Sequence, residues 1–339
     1  MTNSMSTAFT QAPMSRAAAA RQFLLGAVWI LMSAYVAGSL GQFIAPAYGP
    51  LANSLLEIVL LLIGFSVFAT VFDRGFAPLA YLGFPRRATT SREGLLGIAI
   101  GWGMVTAVVL PMVLVGALQP EFDFSLRAWN ALIVQLLTAA AISFAAEIAF
   151  RGYAFQRLAD AVGEAWATVA MVAIFGIVHM QNVQASIAST LTALLFAMAC
   201  AIAYLRTRAL WLSWGLHFAW LASAGILFGL PVDGDRRFNT IITANVGTPF
   251  WFTGGFFGPA SSVLAPIVLI AGIAILVLTT RDYAWEYTYR PIEGAGYPME
   301  PPPPPEHARM EEEAKAKIAA LVQIAPANPP SNNSQDFSK

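Results

Sequence analysis

The sequence predicts an all-α, polytopic membrane protein, and three observations lead there. Of 339 residues, 57% are hydrophobic and only 11% are charged, against about a quarter charged in a soluble domain. Apolar runs of about 20 residues, the length a helix needs to cross a bilayer, recur through most of the chain. Open strands leave backbone N–H and C=O groups unpaired in hydrocarbon, so the spans must be helices. The formal net charge is zero, which gives no basic footprint for nucleic acid. A single cysteine, Cys200, rules out a disulfide framework and a cysteine-based zinc site. Lying inside an apolar run, it reads as a packing residue.

Eight apolar segments are expected, at roughly 23–46, 53–72, 94–117, 129–157, 163–180, 187–205, 210–229 and 261–280. The first follows Arg16 and Arg21 and has the look of a signal-peptide core. It lacks a small-x-small cleavage signal and many more apolar runs follow, so it is read as a membrane helix. Residues 1–21 then form a disordered cytoplasmic tail and 22–282 a transmembrane domain. The fourth segment is longer than a span needs, which predicts a tilt or an extension past the headgroups. The fifth is short and ends in "HMQN".

Arginines set the orientation. Arg74, Arg86, Arg87 and Arg92 fall between segments two and three, and Arg157 follows segment four. Arg206 and Arg208 follow segment six, and Arg281 and Arg290 follow segment eight. The opposite loops carry Arg127, Arg236 and Arg237. The positive-inside rule places both termini in the cytoplasm, as an even number of spans requires. The stretch 230–260, with "NVGTPFWFTGGFFGPASS", is too polar and broken to span and is expected to be an outer loop with interfacial aromatics. From 283 to 339 a cytoplasmic tail follows, opened by the polyproline spacer "PMEPPPPPE". Near 307–324, Met310, Ala314, Ile318, Leu321 and Val322 repeat at helical spacing, with Glu311–Lys315 and Glu313–Lys317 at i,i+4. This predicts a short amphipathic helix.

Four ionisable residues stand at membrane depth: Glu147, Arg151, His179 and His217. The third histidine, His307, is in the tail. Burying a charge in lipid costs at least a few kcal/mol, so intramembrane ionisable residues point to function. Glu147 and Arg151 are one turn apart and share a helix face, with Ser143 one turn the other way. Phe175 precedes His179 by one turn, and Trp214 and Trp220 flank His217. Three helices would each point a polar group into one interior cavity.

Two chemistries suit that set. A carboxylate and an imidazole hold and deprotonate a water while another donor stabilises an oxyanion. Alternatively Glu147, His179 and His217 form a weak zinc site that acidifies the water. Neither an HExxH nor a Gly-x-Ser-x-Gly motif is present, so zincin and serine-hydrolase chemistry have no footing. The same residues also fit a structural role, an ion pair and two interhelical histidines.

Three motifs resemble those of the CAAX-protease and bacteriocin-processing (CPBP) family of intramembrane peptidases. The family's EExxxR appears as "AEIAFRG", Ala146 to Gly152; its FxxxH as "FGIVH", Phe175 to His179; its HxxxN as "HFAWL", His217 to Leu221. The flanking "HMQNVQAS", "AYLRTRALWLSWGLHFAW" and "FGLPVDG" are also similar, so the resemblance covers about residues 90–280. It implies an endopeptidase that cuts near a membrane-anchored or prenylated C-terminus, in the bacterial inner membrane, without a metal cofactor. The first motif glutamate and His179 would activate water. His217 and the third-motif asparagine would stabilise the oxyanion, and Arg151 and Glu147 would orient the site.

Two positions depart from the pattern. The first glutamate is Ala146 and the asparagine is Leu221. Losing a general base removes about 10²–10⁴-fold of rate, and losing an oxyanion donor about 10²–10³-fold. The expectation is therefore an attenuated peptidase working through Glu147, His179 and His217. The alternative is a pseudo-peptidase that binds or sequesters a membrane peptide in the same cavity.

Overall fold

The computed structural model describes residues 14–73, 82–85, 87–284 and 305–322. Arg74, Arg86 and Arg290 lie outside the described residues, as does the "PMEPPPP" stretch of the spacer. The described chain is helical almost throughout. Long helices form at α1 (Arg16–Ile44), α2 (Gly49–Asp73), α3 (Thr90–Leu114) and α4 (Leu126–Arg151). They are followed by α5 (Tyr153–Val162), α6 (Glu164–His179), α7 (Ile187–Thr207), α8 (Leu210–Ala222) and α9 (Leu264–Thr279).

Six stretches are long and apolar enough to cross a membrane, namely Arg16–Ile44, Pro46–Phe72, Thr90–Leu114, Leu126–Val162, Ile187–Thr207 and Leu210–Leu227. The remaining two of the eight expected segments are the shorter apolar helices Glu164–His179 and Leu264–Thr279. A helix of 16 residues such as α6 reaches only about 24 Å, less than the hydrocarbon thickness of about 30 Å. Its end at His179 is therefore inside the fold, not beyond it.

Local chemistry accounts for where the helices begin and break. The helix α1 starts at Arg16, so the expected tail 1–21 is shortened. Ser15 caps it by accepting from Ala18 N–H, and the alanines 17–20 are strong helix formers. Ser125 caps α4 and Ser186 caps α7, the latter reciprocally with Ser189. The long fourth segment does not run through as one helix. At Gly152 the backbone leaves helical geometry (ψ −139°), splitting it into α4 and α5. A π-helical turn at Ser223–Leu227 extends α8, and such turns concentrate near functional sites.

Small residues bring α3 and α8 into backbone contact. A Cβ added at Gly97 would lie 2.2 Å from the Leu212 carbonyl oxygen, and one at Gly215 2.3 Å from the Gly94 oxygen. Glycines at such spacing allow the close approach on which helix association in lipid depends. The contact fixes α8, and with it His217. One apolar core forms around α3, α7, α8 and α9, with Met104, Val108, Leu212, Leu216, Cys200 and Leu269 fully or nearly fully buried. A second gathers Leu61, Phe65, Tyr153, Phe155 and Leu210 between α1, α2, α5 and their neighbours.

The stretch 230–260 differs from the simple outer loop expected. Ile242–Val246 (β2) pairs antiparallel with Leu118–Phe122 (β1), in the register Leu118 with Val246 and Phe122 with Ile242. Leu230, Val232, Phe238 and Phe257 are buried, while Phe250, Trp251 and Phe256 are exposed. Two of its aromatics, Phe238 and Phe257, therefore fold back onto the core. The reason is that the loop has its own ladder and turns to satisfy its backbone, so it can lie against apolar surface.

Arg87 donates to the Thr207 carbonyl, Arg206 to Thr280 Oγ1 and the Val277 carbonyl, and Arg208 to Glu164. The chain divides into two units, Met1–Thr288 and Tyr289–Lys339. In the second, α10 (Pro305–Val322) is the helix expected near 307–324. Met310 and Ile318 are exposed on it, and Lys315 Nζ lies 3.8 Å from Glu311 Oε2.

Candidate active site

Of the four intramembrane ionisable residues, three meet directly. Glu147 and Arg151 lie one turn apart on the last turns of α4, and Arg151 Nη1 donates to Glu147 Oε1 at 3.1 Å. His217 Nδ1, from α8, lies 2.8 Å from the same oxygen. Arg151 also donates through Nη2 to the Ala197 carbonyl of α7 at 3.0 Å, and its guanidinium sits 5.8 Å from the Phe150 and Phe175 rings. All three side chains are buried. A buried charge with no partner is far costlier than a paired one, and here the carboxylate, the guanidinium and the carbonyl satisfy one another. Glu147 Oε2 has no hydrogen-bond partner in the described structure.

With Nδ1 turned to Glu147, the His217 ring orientation is set and Nε2 is left without a protein partner among the described residues. A carboxylate behind an imidazole fixes its ring. Phe196 meets the ring edge to face at 5.2 Å between centroids. Trp214, expected beside the histidine, instead donates from Nε1 to the Ala140 carbonyl, and Trp220 packs on Phe196. Ser143 donates to the carbonyls of Ala139 and Ala140, so it is spent within its own helix.

His179 stands apart from this trio. It ends α6, with Phe175 stacked on it at 6.4 Å as its one-turn spacing predicts. Its near carboxylate is Asp233, whose Oδ1 is 3.7 Å from His179 Nε2. Asn182 Nδ2 lies 3.5 Å from Nδ1, and Phe257 meets the ring edge to face at 5.5 Å. The His179 side chain is only 10% exposed, yet Nε2 makes no hydrogen bond. Sequence reasoning placed the "VDG" text in a loop and missed Asp233. The available signal was the Asp-Gly pair itself, which marks a tight turn. Val232 and Asp235 exchange both backbone hydrogen bonds around it, and Asp233 and Gly234 both have positive φ, 53° and 82°.

Burial pushes the Asp233 carboxyl above its ordinary range, against the pull of His179 and His217, which both favour its ionised form. Among the described residues, no three His, Cys, Asp or Glu side chains come together as a metal-holding group. Glu147 is engaged by Arg151 and His217, while the near carboxylate of His179 is Asp233.

Ala146 and Leu221 also have defined places. Phe150 and Phe175 meet edge to face at 5.2 Å. One helical turn from that ring pair stand Ala146 on α4 and His179 on α6. Leu221, one turn after His217, is 6% exposed and belongs to the apolar core. A groove of about 600 Å³ opens beside Phe257, lined by Gln184, Ile187, Trp251 and Phe256 among others.

Residues 128–223 match a family model described as type II CAAX prenyl endopeptidase, Rce1-like. This stretch is similar to that family. It contains Ala146, Glu147, Arg151, His179, His217 and Leu221, so all three motifs fall within the match. The likeness to the CPBP peptidases read from those motifs is borne out. No curated protein and no solved structure matches the chain. The carboxylate partner of His179 comes from outside the matched stretch, ten residues beyond its end.

Proposed function

We propose that the protein is an intramembrane endopeptidase of the CPBP type. It hydrolyses a peptide bond in a membrane-anchored or lipidated peptide. The observation that carries the reading is the buried Glu147–His217 bond at 2.8 Å, backed by Arg151. It presents an imidazole whose Nε2 is aimed by a carboxylate, inside a segment similar to CAAX prenyl endopeptidases. In this reading Glu147 and Arg151 position, His217 donates to the oxyanion through Nε2–H, and His179 binds the attacking water. Glu147, engaged through Oε1 by Arg151 and His217, is assigned to positioning and not to the water base.

Six helices of spanning length and two shorter apolar ones, with both termini in the cytoplasm, complete the proposal. The Arg208–Glu164 pair supports it by marking one end of α6, while His179 marks the other. The site and its groove then open toward the outer face of what we take to be a bacterial inner membrane. The N-terminal tail, the transmembrane domain and the Pro-rich tail remain the proposed division of the chain.

One observation favours a second reading. Leu221 occupies the oxyanion-donor position as a core residue, which suits a pseudo-peptidase that binds or sequesters a membrane peptide. Purified full-length protein in nanodiscs, given a prenylated peptide, separates the two. Turnover lost in His179→Ala supports the peptidase. Saturable binding of the intact peptide with no turnover supports the pseudo-peptidase.

A further inference from the structure

Position 146 holds an alanine, and nothing on α4 replaces a water-activating carboxylate beside His179. The structure brings one from elsewhere. Asp233 lies on the tight turn Val232–Asp235, closed by two backbone bonds. Gly234 of that turn donates its N–H to the Phe257 carbonyl at 3.0 Å, and the Phe257 ring abuts His179. The turn is therefore anchored to a wall of the site, and Asp233 is held in the left-handed region at φ 53°. Aspartate and asparagine tolerate that conformation better than other non-glycine residues.

We propose that Asp233 supplies the carboxylate that position 146 lacks and, with His179, holds and activates the attacking water. The 3.7 Å between His179 Nε2 and Asp233 Oδ1 is too long for a direct hydrogen bond, and the water sits to one side of the pair, within reach of both. The unpartnered, nine-tenths buried Nε2 has its missing partner in that water. Asp233 is 40% exposed, so its outer side is accessible.

The proposal rests on the peptidase reading. Asp233 takes one proton from the water, and the water oxygen bonds to the scissile carbonyl carbon as that carbonyl's electron pair moves onto its oxygen. On collapse the carbon–nitrogen bond breaks. The proton passes from Asp233 to the leaving nitrogen, which gives one new carboxyl and one amine.

The groups facing His179 are Asp233 and Phe257 from the loop, Asn182 from its own turn and Phe175 from its own helix. Among the described residues, Asp233 is the carboxylate within ion-pair distance. The test uses the full chain in nanodiscs with a prenylated peptide. Asp233→Asn keeps the turn, since asparagine also accepts positive φ. It is expected to lower kcat by about 10²–10⁴-fold with KM little changed, and Ala146→Glu added to it is expected to restore turnover. A wild type that turns over with Asp233→Asn within threefold of it overturns the proposal and leaves the peptidase reading standing.

A second readout works without turnover. Carbethoxylation of His179 by diethyl pyrocarbonate at a fixed pH, followed by mass spectrometry, gives the reactivity of its ring beside Asp233. Asp233→Asn is expected to change that rate severalfold. If the wild type is inactive and the rate changes, the peptidase reading fails and the pairing holds. An unchanged rate overturns the pairing itself.

Discussion

Glu147→Gln tests whether the buried trio carries charge. At 3.1 Å, opposite unit charges attract by about 5 kcal/mol at an effective dielectric near 20. Much of that offsets the cost of taking both groups out of water. Removing one partner is different, because the Arg151 guanidinium stays behind, only 4% exposed. Such losses run to about 3–5 kcal/mol. Arg151 keeps its bond to the Ala197 carbonyl and its two aromatic faces, so the lower end, about 3 kcal/mol, is expected. That corresponds to a fall of roughly 6–12 °C in Tm. The chain offers its own probe. Cys200 is the sole cysteine and is fully buried, with its Sγ 4.0 Å from the Ser213 carbonyl of α8. A thiol-reactive dye therefore fluoresces only when α7 and α8 separate. Replacing both residues, Glu147→Leu with Arg151→Met, is expected to cost less than the two single changes added together. A Glu147→Gln midpoint within 2 °C of wild type, on an assay of about that precision, would refute the buried-charge argument.

Four further outcomes follow from the same geometry. Leu221→Asn places a donor one turn from His217 and is expected to raise kcat toward the roughly 10²-fold that one oxyanion donor provides, at a stability cost of about 1–3 kcal/mol for a buried amide; unchanged kcat counts against His217 as the oxyanion side. Gly215→Ala puts a Cβ against the Gly94 oxygen and is expected to cost about 1–3 kcal/mol in the thiol-dye assay, with a loss of turnover as α8 shifts. The pH–kcat profile should fall on its acid side at a pH above the ordinary carboxylate range, because Asp233 must be ionised to accept a proton and burial raises its pKa; Asp233→Asn should remove that limb from whatever activity is left. For orientation, a cysteine at the exposed Gln184 should react with a membrane-impermeant maleimide on intact cells, whereas one at Glu164 should react only after permeabilisation.

The helical layout was legible because lipid imposes a simple rule: runs of about 20 apolar residues form helices that satisfy their own backbone. Every one of the eight expected segments corresponds to a helix, six of them of spanning length. The break at Gly152 and the β1–β2 pair were not legible. A single backbone departure at a glycine and five residues of strand carry too little periodicity to register. Glu147 and Arg151 could be paired from their i,i+4 spacing, and His217 from the scarcity of ionisable residues at depth. Which histidine takes which partner could not be read, since spacing along a helix says nothing of the rotation of the helix packed against it. Asp233 was hidden because its position depends on a turn in a polar loop, docked on α6 through Phe257.

The most direct measurement is hydrolysis in water enriched in oxygen-18. Purified full-length protein in nanodiscs, given a prenylated peptide, is predicted to release a shortened peptide whose new carboxyl carries one heavy oxygen. His179→Ala is predicted to release none. An intact peptide after incubation with the wild type, or equal release by His179→Ala, would contradict the account.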